Sequence, residues 1–229
     1  HSSGNKGVPV RTHHEQPHIQ PVMLYRAGRT STYPEEPVDK GIRFHFLGGA
    51  GEVGNVGCVI EDPTGTKVLM DYGLAPTKPP KYPSEAPLMD HAVITHSHID
   101  HIGMAPWLVG HHGTTLHGSR LTSNLSEIMW RDTYKVSSIE GYPLAWDKRD
   151  LDAALGAWQE HDMGDQFSIG NWDLRFHIAG HIPGAVMTEI DTPIAKILWT
   201  GDMDTRESPN VSGAKPVKCD ILCLEGTYG

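Results

Sequence analysis

Strand-like runs, then helical patterns, then strand-like runs again predict an α/β layered domain from about residue 41 to the end of the chain. Two observations support this order. The runs flanking the centre are short, apolar and rich in β-branched residues, bounded by Gly, Pro and Asp turn signals, whereas the centre carries longer stretches with helical spacing. No internal repeat or low-complexity tract interrupts the pattern, so a single domain is the expectation for 229 residues.

Taken in order, "IRFHFLGG" and "GCVIED" read as strands, "DPTGT" as a turn and "KVLMDYG" as a third strand. A Pro-rich loop to Pro87 leads into "HAVITH". Helices are predicted over about 100–110, with Pro106 in a first turn, over 121–138, and over 147–159 with Asp147 as N-cap. Strands return as "DQFSIGNWDLRFHIAG", "AVMTEID", "AKILWTGD" and "DILCLEG". Residues 1–40, rich in Pro, His and polar groups, read as a flexible leader whose "HSSG" start resembles a tag remnant, with His13, His14 and His18 solvated.

Hydrophobic residues make up 38% of the chain and charged residues 21%, the balance of a globular protein rather than a disordered one. No apolar run approaches the roughly 18 residues of a membrane span, and no secretory pattern opens the chain. A soluble protein without membrane partners is expected. Three cysteines, Cys58, Cys219 and Cys223, make a disulfide framework improbable and fit a reducing cytoplasm. The alternation in "KCDILCLEG" places Cys219, Ile221 and Cys223 on one buried strand face. A net charge of −9 argues against a nucleic-acid-coating surface but not against a nuclease, because bound cations reverse the field locally.

"FLGGAGEVG" contains a G-x-G-x-x-G spacing at Gly49, Gly51 and Gly54, with Asp71 about 20 residues on, as a dinucleotide site requires. That site also needs a helix directly afterwards. "NVGCVIEDPTG" is β-branched and ends at Pro63, so the glycines read as a loop passing close to something at the end of a sheet.

"VITHSHIDHIGMA" places His96, His98, Asp100 and His101 within six positions. A helix would spread positions 96 and 98 about 200° apart, and a continuous strand would send His101 to the opposite face. A strand ending near His96, a tight turn, and a helix starting near Asp100 would aim all four at one point. Imidazole with carboxylate and without thiolate suits a catalytic zinc site. His181 in "IAGHIPGA" and Asp202 in "ILWTGDMD" each follow a glycine after an apolar run, where a side chain can project into the same cleft. The other histidines, among them His45, His91, His117, His161 and His177, lack ligand spacing, and His111 and His112 read as a solvated loop. Trp130, Trp158 and Trp172 read as packing residues rather than a base-stacking platform.

"THSHIDHIG" matches the H-x-H-x-D-H motif, and with Asp71, His181 and Asp202 in order the chain resembles the metallo-β-lactamase fold. "GGAGEVGNVGC", "GDMDTRESPNVSGA" and "LEGTYG" are similar to the beta-CASP branch, which includes ribonuclease J and the nuclease subunit of the cleavage and polyadenylation specificity factor with its archaeal relatives. The resemblance implies an αββα four-layer sandwich over 41–229. It implies one zinc on His96, His98 and His181, a second on Asp100 and His101, and Asp202 bridging them. Asp71 would be a supporting carboxylate, and Glu225 aligns with the acidic motif opening the beta-CASP segment, giving Asp100, His101, Asp202 and Glu225 catalytic roles. The implied activity is hydrolysis of RNA phosphodiester bonds by a hydroxide activated by two metals, in RNA processing or decay. The rival readings are a DNA nuclease, another hydrolase of this fold, or a non-catalytic scaffold subunit. A homodimer or an RNA-processing complex is the expected assembly. Two departures stand out: Gly226 replaces the usual serine of "ESTYG", and the sequence ends at Gly229, where the cap would begin. The later histidine motifs are then expected from a further segment or a partner chain.

Overall fold

The computed structural model describes residues 25–26 and 41–226. Two six-stranded sheets face each other. The first contains β2 (Arg43–Gly48), β3 (Gly57–Glu61), β4 (Lys67–Tyr72), β5 (His91–Val93), β6 (Thr115–Gly118) and β7 (Trp158–Glu160), in that spatial order. Its first three strands form an antiparallel meander, and β4 through β7 run parallel. The second sheet has the order β1-β12-β11-β10-β9-β8, from β1 (Tyr25–Arg26), β8 (Gln166–Ile169), β9 (Trp172–Ile178), β10 (Val186–Asp191), β11 (Lys196–Trp199) and β12 (Ile221–Cys223). Of the expected leader, Tyr25 and Arg26 pair antiparallel with β12; the remainder, with the three leader histidines, lies outside the described residues.

Residues 73–90, which connect the parallel strands β4 and β5, hold no helix, whereas the crossovers from β5 to β6 and from β6 to β7 are built from helices. They are α1 (Ile99–Ile102), α2 (Ala105–His112), α3 (Arg120–Glu140) and α4 (Lys148–Leu155). The single helix expected over about 100–110 is split: α1 closes with the Gly103 N–H on Ile99 O, and Pro106 opens a new first turn in α2. His111 and His112 therefore occupy the last turn of α2 rather than a loop. Asp147 does cap α4, in a reciprocal arrangement with Asp150. That helix stops at Leu155, and Trp158–Glu160 become the edge strand β7 instead of a continued helix. Strands β6 and β7 were not expected from the sequence, because four and three residues are too few to show a period of two.

One core lies between the sheets, where Ile60, Val68, Met70 and Val93 meet Trp172, Leu174, Phe176 and Ile197. A second lies on the outer face of the first sheet, where Leu69, Ile94 and Leu116 pack against Ile102, Leu108, Trp130 and Leu151 of the helices. Trp130 and Trp172 are fully buried, as expected of packing residues. Trp130 Nε1 donates to Ile102 O and Trp146 Nε1 to Gly103 O, at 2.9 and 2.7 Å, so the helical layer grips the end of α1. On the outer face of the second sheet, Met187 and Leu198 pack against Ala214, Met203 and Val217 of the long loop after β11. Among the described residues the helices lie on the first sheet alone.

Two sequence expectations change here. Strand β12 begins only at Ile221, after a bend at Asp220, so Cys219 joins the outer cluster while Ile221 and Cys223 face the inter-sheet core. Burial raises the Cys223 thiol to about 12 and pushes Cys58 higher still, so both stay protonated. Second, His91, His117 and His161, without ligand spacing in sequence, form a chain: His91 Nδ1 is 3.0 Å from His117 Nε2, and His117 Nδ1 is 3.0 Å from His161 Nε2. Placement on β5, on the neighbouring β6 and just after β7 brings them together, and Phe167 stacks on His117 and His161. His117 uses opposite ring nitrogens, so the three cannot converge on one ion.

Burial, and then the neighbouring His91 and His161, lower the His117 pKa to about 3. The unfolded imidazole titrates near about 6.5, so below that value the unfolded chain binds the proton that the native chain refuses. This contribution to stability is intact above about pH 6.5 and is lost as pH falls toward 3. His117→Gln should make the unfolding free energy less pH-dependent, by about 2 kcal/mol between about pH 7 and 5, in denaturant titrations at the two pH values. Equal slopes in both proteins would refute the assignment.

Candidate metal centre

The cluster residues stand where strands end and loops begin. After β5 the chain runs extended through Thr95 and His96, and His98 is the N-cap of α1 with φ −68° and ψ 145°. Asp100 and His101 then fall in the first turn of the helix. This is the strand–turn–helix expected from the spacing. Asp100 O accepts from Val56 N at 2.9 Å and Ile99 O from Leu74 N at 3.1 Å, which fixes α1 against β3 and β4. Gly73 is obligatory at this contact, since a Cβ there would stand 1.6 Å from Asp100 O.

His181 follows β9, and Asp202 follows β11, so the second sheet supplies both. Gly201, at φ +52°, lets the Asp202 loop close onto Thr95: a side chain there would meet Thr95 Cβ at 2.7 Å. Val186 N donates to Thr95 O at 2.9 Å, a further stitch between the sheets at this rim.

All six sequence-selected cluster residues come together. His98 Nδ1 is 3.0 Å from His96 Nε2 and 3.1 Å from His181 Nε2. Asp202 Oδ2 lies 3.8 and 3.6 Å from those same His96 and His181 nitrogens. One ligand atom from each of these four residues falls within 4.8 Å of the others. The other Asp202 oxygen, Oδ1, is 3.3 Å from His101 Nε2, which is itself 3.9 Å from Asp100 Oδ2. The Asp202 carboxylate thus faces one ligand set with each oxygen.

Behind the cluster, buried Asp71 sets the orientation. Its Oδ1 accepts from Thr95 N at 2.7 Å, and its Oδ2 accepts from the Thr95 hydroxyl at 2.9 Å and from His101 Nδ1 at 3.0 Å. The Thr95 oxygen in turn stands 3.1 Å from His96 Nδ1. With its Nδ1 proton engaged by the Thr95 oxygen, His96 points its Nε2 lone pair into the centre, the tautomer metal-binding histidines adopt, while the Nδ1 proton held by Asp71 turns His101 Nε2 toward Asp202. Asp71 holds φ +54°, a left-handed conformation that Asp tolerates better than most residues. Thr95 was not selected from the sequence; its signal is a hydroxyl directly before the histidine cluster at a strand end.

The donor set fits divalent cations. Burial, then the neighbouring His101, His98 and His181, drives His96 well below the ordinary imidazole pKa, and burial with His181 lowers His98. Both remain neutral at pH 7, the form that donates a lone pair. Burial opposes a charge on His101, yet the carboxylates of Asp71 and Asp202 overcome it and raise the pKa to about 10. Burial likewise opposes ionisation of Asp202, and His101 outweighs it. Three imidazole nitrogens crowd one point on the first side of Asp202. Hydrogen bonds among them cannot give each nitrogen its own proton partner, whereas an ion accepts a lone pair from every one.

Glu225 stands apart from this convergence. Its Oε1 accepts from Met203 N at 2.7 Å, the residue after Asp202, so its observed contact is with the Asp202 loop rather than with the ligand atoms. The contact observed is one that positions the Asp202 loop. Glu225→Gln, which keeps the acceptor, should retain activity and metal content, while Glu225→Ala should lower metal affinity by about 10–100-fold, the usual cost of an outer partner. Equal losses in both variants would instead indicate that the charge itself acts at the centre.

The Metallo-beta-lactamase superfamily profile matches residues 58–215. The chain belongs to that superfamily. Among its relatives, cleavage and polyadenylation specificity factor 73 of Drosophila melanogaster is 29% identical over 208 residues, covering 86% of this chain and 30% of that protein. Cleavage and polyadenylation specificity factor subunit 3 of Dictyostelium discoideum is 31% identical over 80% of this chain and 25% of its own. An RNase J-like protein of Methanocaldococcus jannaschii is 28% identical over 82% and 42%. These are relatives of the beta-CASP kind that the motifs resemble. The chain spans between a quarter and somewhat over two fifths of their lengths. A solved protein of unknown function from Enterococcus faecalis V583 shares the fold, with TM-score 0.54 at 14% identity over 72% of this chain and 44% of that one.

Proposed function

We propose that the chain carries the metal centre of a zinc-dependent ribonuclease of the beta-CASP type, hydrolysing RNA phosphodiester bonds in RNA processing or decay. The observation that supports it most is the Asp202 carboxylate, with Oδ2 toward His96 and His181 and Oδ1 toward His101. His96, His98 and His181 would hold one zinc and Asp100 and His101 the other, with Asp202 placed to serve both sets. Paired zinc ions supply Lewis acidity toward phosphoryl oxygens and make water a nucleophile near neutral pH. The protein's own groups perform the rest. Asp71 and Thr95 fix the ring orientations of His101 and His96, and the rigid ends of two sheets hold the ligands without reorganisation.

A base-independent grip through phosphates is the substrate mode consistent with a cluster that offers no base-reading edge. A cap segment or a partner chain of the whole protein would complete the second zinc's ligands and assist the leaving group. A cytoplasmic setting and a homodimer or RNA-processing complex belong to the same reading. No helix among the described residues is long and apolar enough to cross a membrane.

The test is cleavage of labelled RNA and DNA of matched sequence by the zinc-loaded whole protein, with its cap segment or partner chain, with and without chelator. RNA cleavage that disappears with chelator is expected. Cleavage of DNA in preference to RNA, or well-folded protein that binds zinc and leaves RNA intact, would overturn the proposal.

A further inference from the structure

The loop between β11 and β12 carries a charged group that the metal chemistry does not use. Arg206 sits four residues after Asp202, and its side chain is 86% exposed. Its guanidinium is nonetheless held in place. Nε lies 3.0 and 3.1 Å from the two oxygens of Asp204, Nη2 is 2.6 Å from Oδ2, and the Arg206 backbone N–H donates to Oδ1 at 2.8 Å. Nη1 takes no partner among the described residues.

The anchor itself is tied to the centre. Asp204 N donates to Ala179 O at 2.8 Å, two residues before His181, and Ala214 N donates to Asp204 O at 2.8 Å. Asp204 therefore stands between the His181 loop and the Asp202 loop.

The geometry points to Arg206 as the residue that holds a substrate phosphate flanking the scissile one. This rests on the reading of the centre as a phosphodiester hydrolase. A chain of net charge −9, with Asp71, Asp100 and Asp202 at the centre, otherwise repels a polyanion once the scissile phosphate is on the metals. A guanidinium pinned on one edge keeps a free N–H edge and loses little rotamer entropy on binding, so it suits phosphate better than a mobile lysine would. Lys215, on the same loop, is likewise paired, with Glu207 at 2.9 Å, but its single ammonium keeps no planar edge for a second anion.

The experiment compares wild type, Arg206→Gln and Arg206→Lys in the zinc-loaded whole protein, with its cap segment or partner chain, on an RNA oligonucleotide and on a small phosphodiester with no second phosphate. Arg206→Gln should raise KM for RNA about tenfold or more, the loss of one charge-assisted hydrogen bond, with kcat and zinc content unchanged. Its log KM against log salt slope should fall by about 0.7, one phosphate contact to a single strand. Arg206→Lys should restore that slope and only part of the KM. The small diester should be hydrolysed equally by all three. An unchanged KM and salt slope in Arg206→Gln would overturn the inference, as would an equal loss on the small diester, which marks a structural brace. Wild type that cleaves neither substrate would overturn the reading of the centre; RNA binding by anisotropy at two salt concentrations would then still decide Arg206.

Discussion

Asp202→Ala should leave a folded sandwich with hydrolysis lost by more than about 100-fold, since even the outer partners of a metal site cost about 10–100-fold when removed. Both ligand sets depend on this carboxylate, one through Oδ2 and the other through Oδ1. Zinc content should therefore drop at both positions together. Replacing a residue that serves one set, such as His98, should reduce one position and spare the other. Folding survives because the Asp202 side chain is 25% exposed and belongs to no apolar cluster. Elemental analysis alongside far-UV circular dichroism reads both halves of this expectation. Full zinc retention in Asp202→Ala would contradict the bridge.

Asp71→Ala should have the largest effect on stability, about 3–5 kcal/mol, as expected when one partner of a buried charged network is removed. The Thr95 N–H, the Thr95 hydroxyl and His101 Nδ1 all lose their acceptor in a place with no access to water. The substitution also places a Cβ-bearing residue without a polar side chain at φ +54°. Asp71→Asn separates the two causes. Asn accepts the left-handed backbone and keeps one oxygen acceptor, so it should cost less stability. It cannot orient His101 as a carboxylate does, and zinc affinity should still fall by about 10–100-fold. Denaturant unfolding in chelator, followed by zinc titration of the folded variants, checks the pair. Equal stability of Asp71→Ala and wild type would show that the network does not anchor the rim.

The ligand cluster was legible in the sequence because its geometry is local. His96, His98, Asp100 and His101 can meet only if a strand becomes a helix among them, and apolar "HAVI" before and Pro106 after mark that change. His181 and Asp202 were legible for a related reason, each following a glycine at a strand end. Strands β3, β4, β9 and β10 were equally clear as apolar, β-branched runs bounded by turn residues. What could not be read depends on tertiary contact. Strands β6 and β7 exist because parallel neighbours supply their hydrogen bonds. The His91–His117–His161 chain is a product of cross-strand placement, and Thr95 gains its role only from Asp71, which lies 24 residues away in sequence. Cys219 misled because alternation was extended past a bend that ends the strand.

Zinc titration against a competing chelator, on wild type and His181→Ala, tests most directly the claim that loops from two different sheets build one metal centre. Wild type should show one tight site with four protein ligands and a weaker second site sharing Asp202, and His181→Ala should lose the tight one. A tight zinc site in His181→Ala indistinguishable from wild type would contradict it.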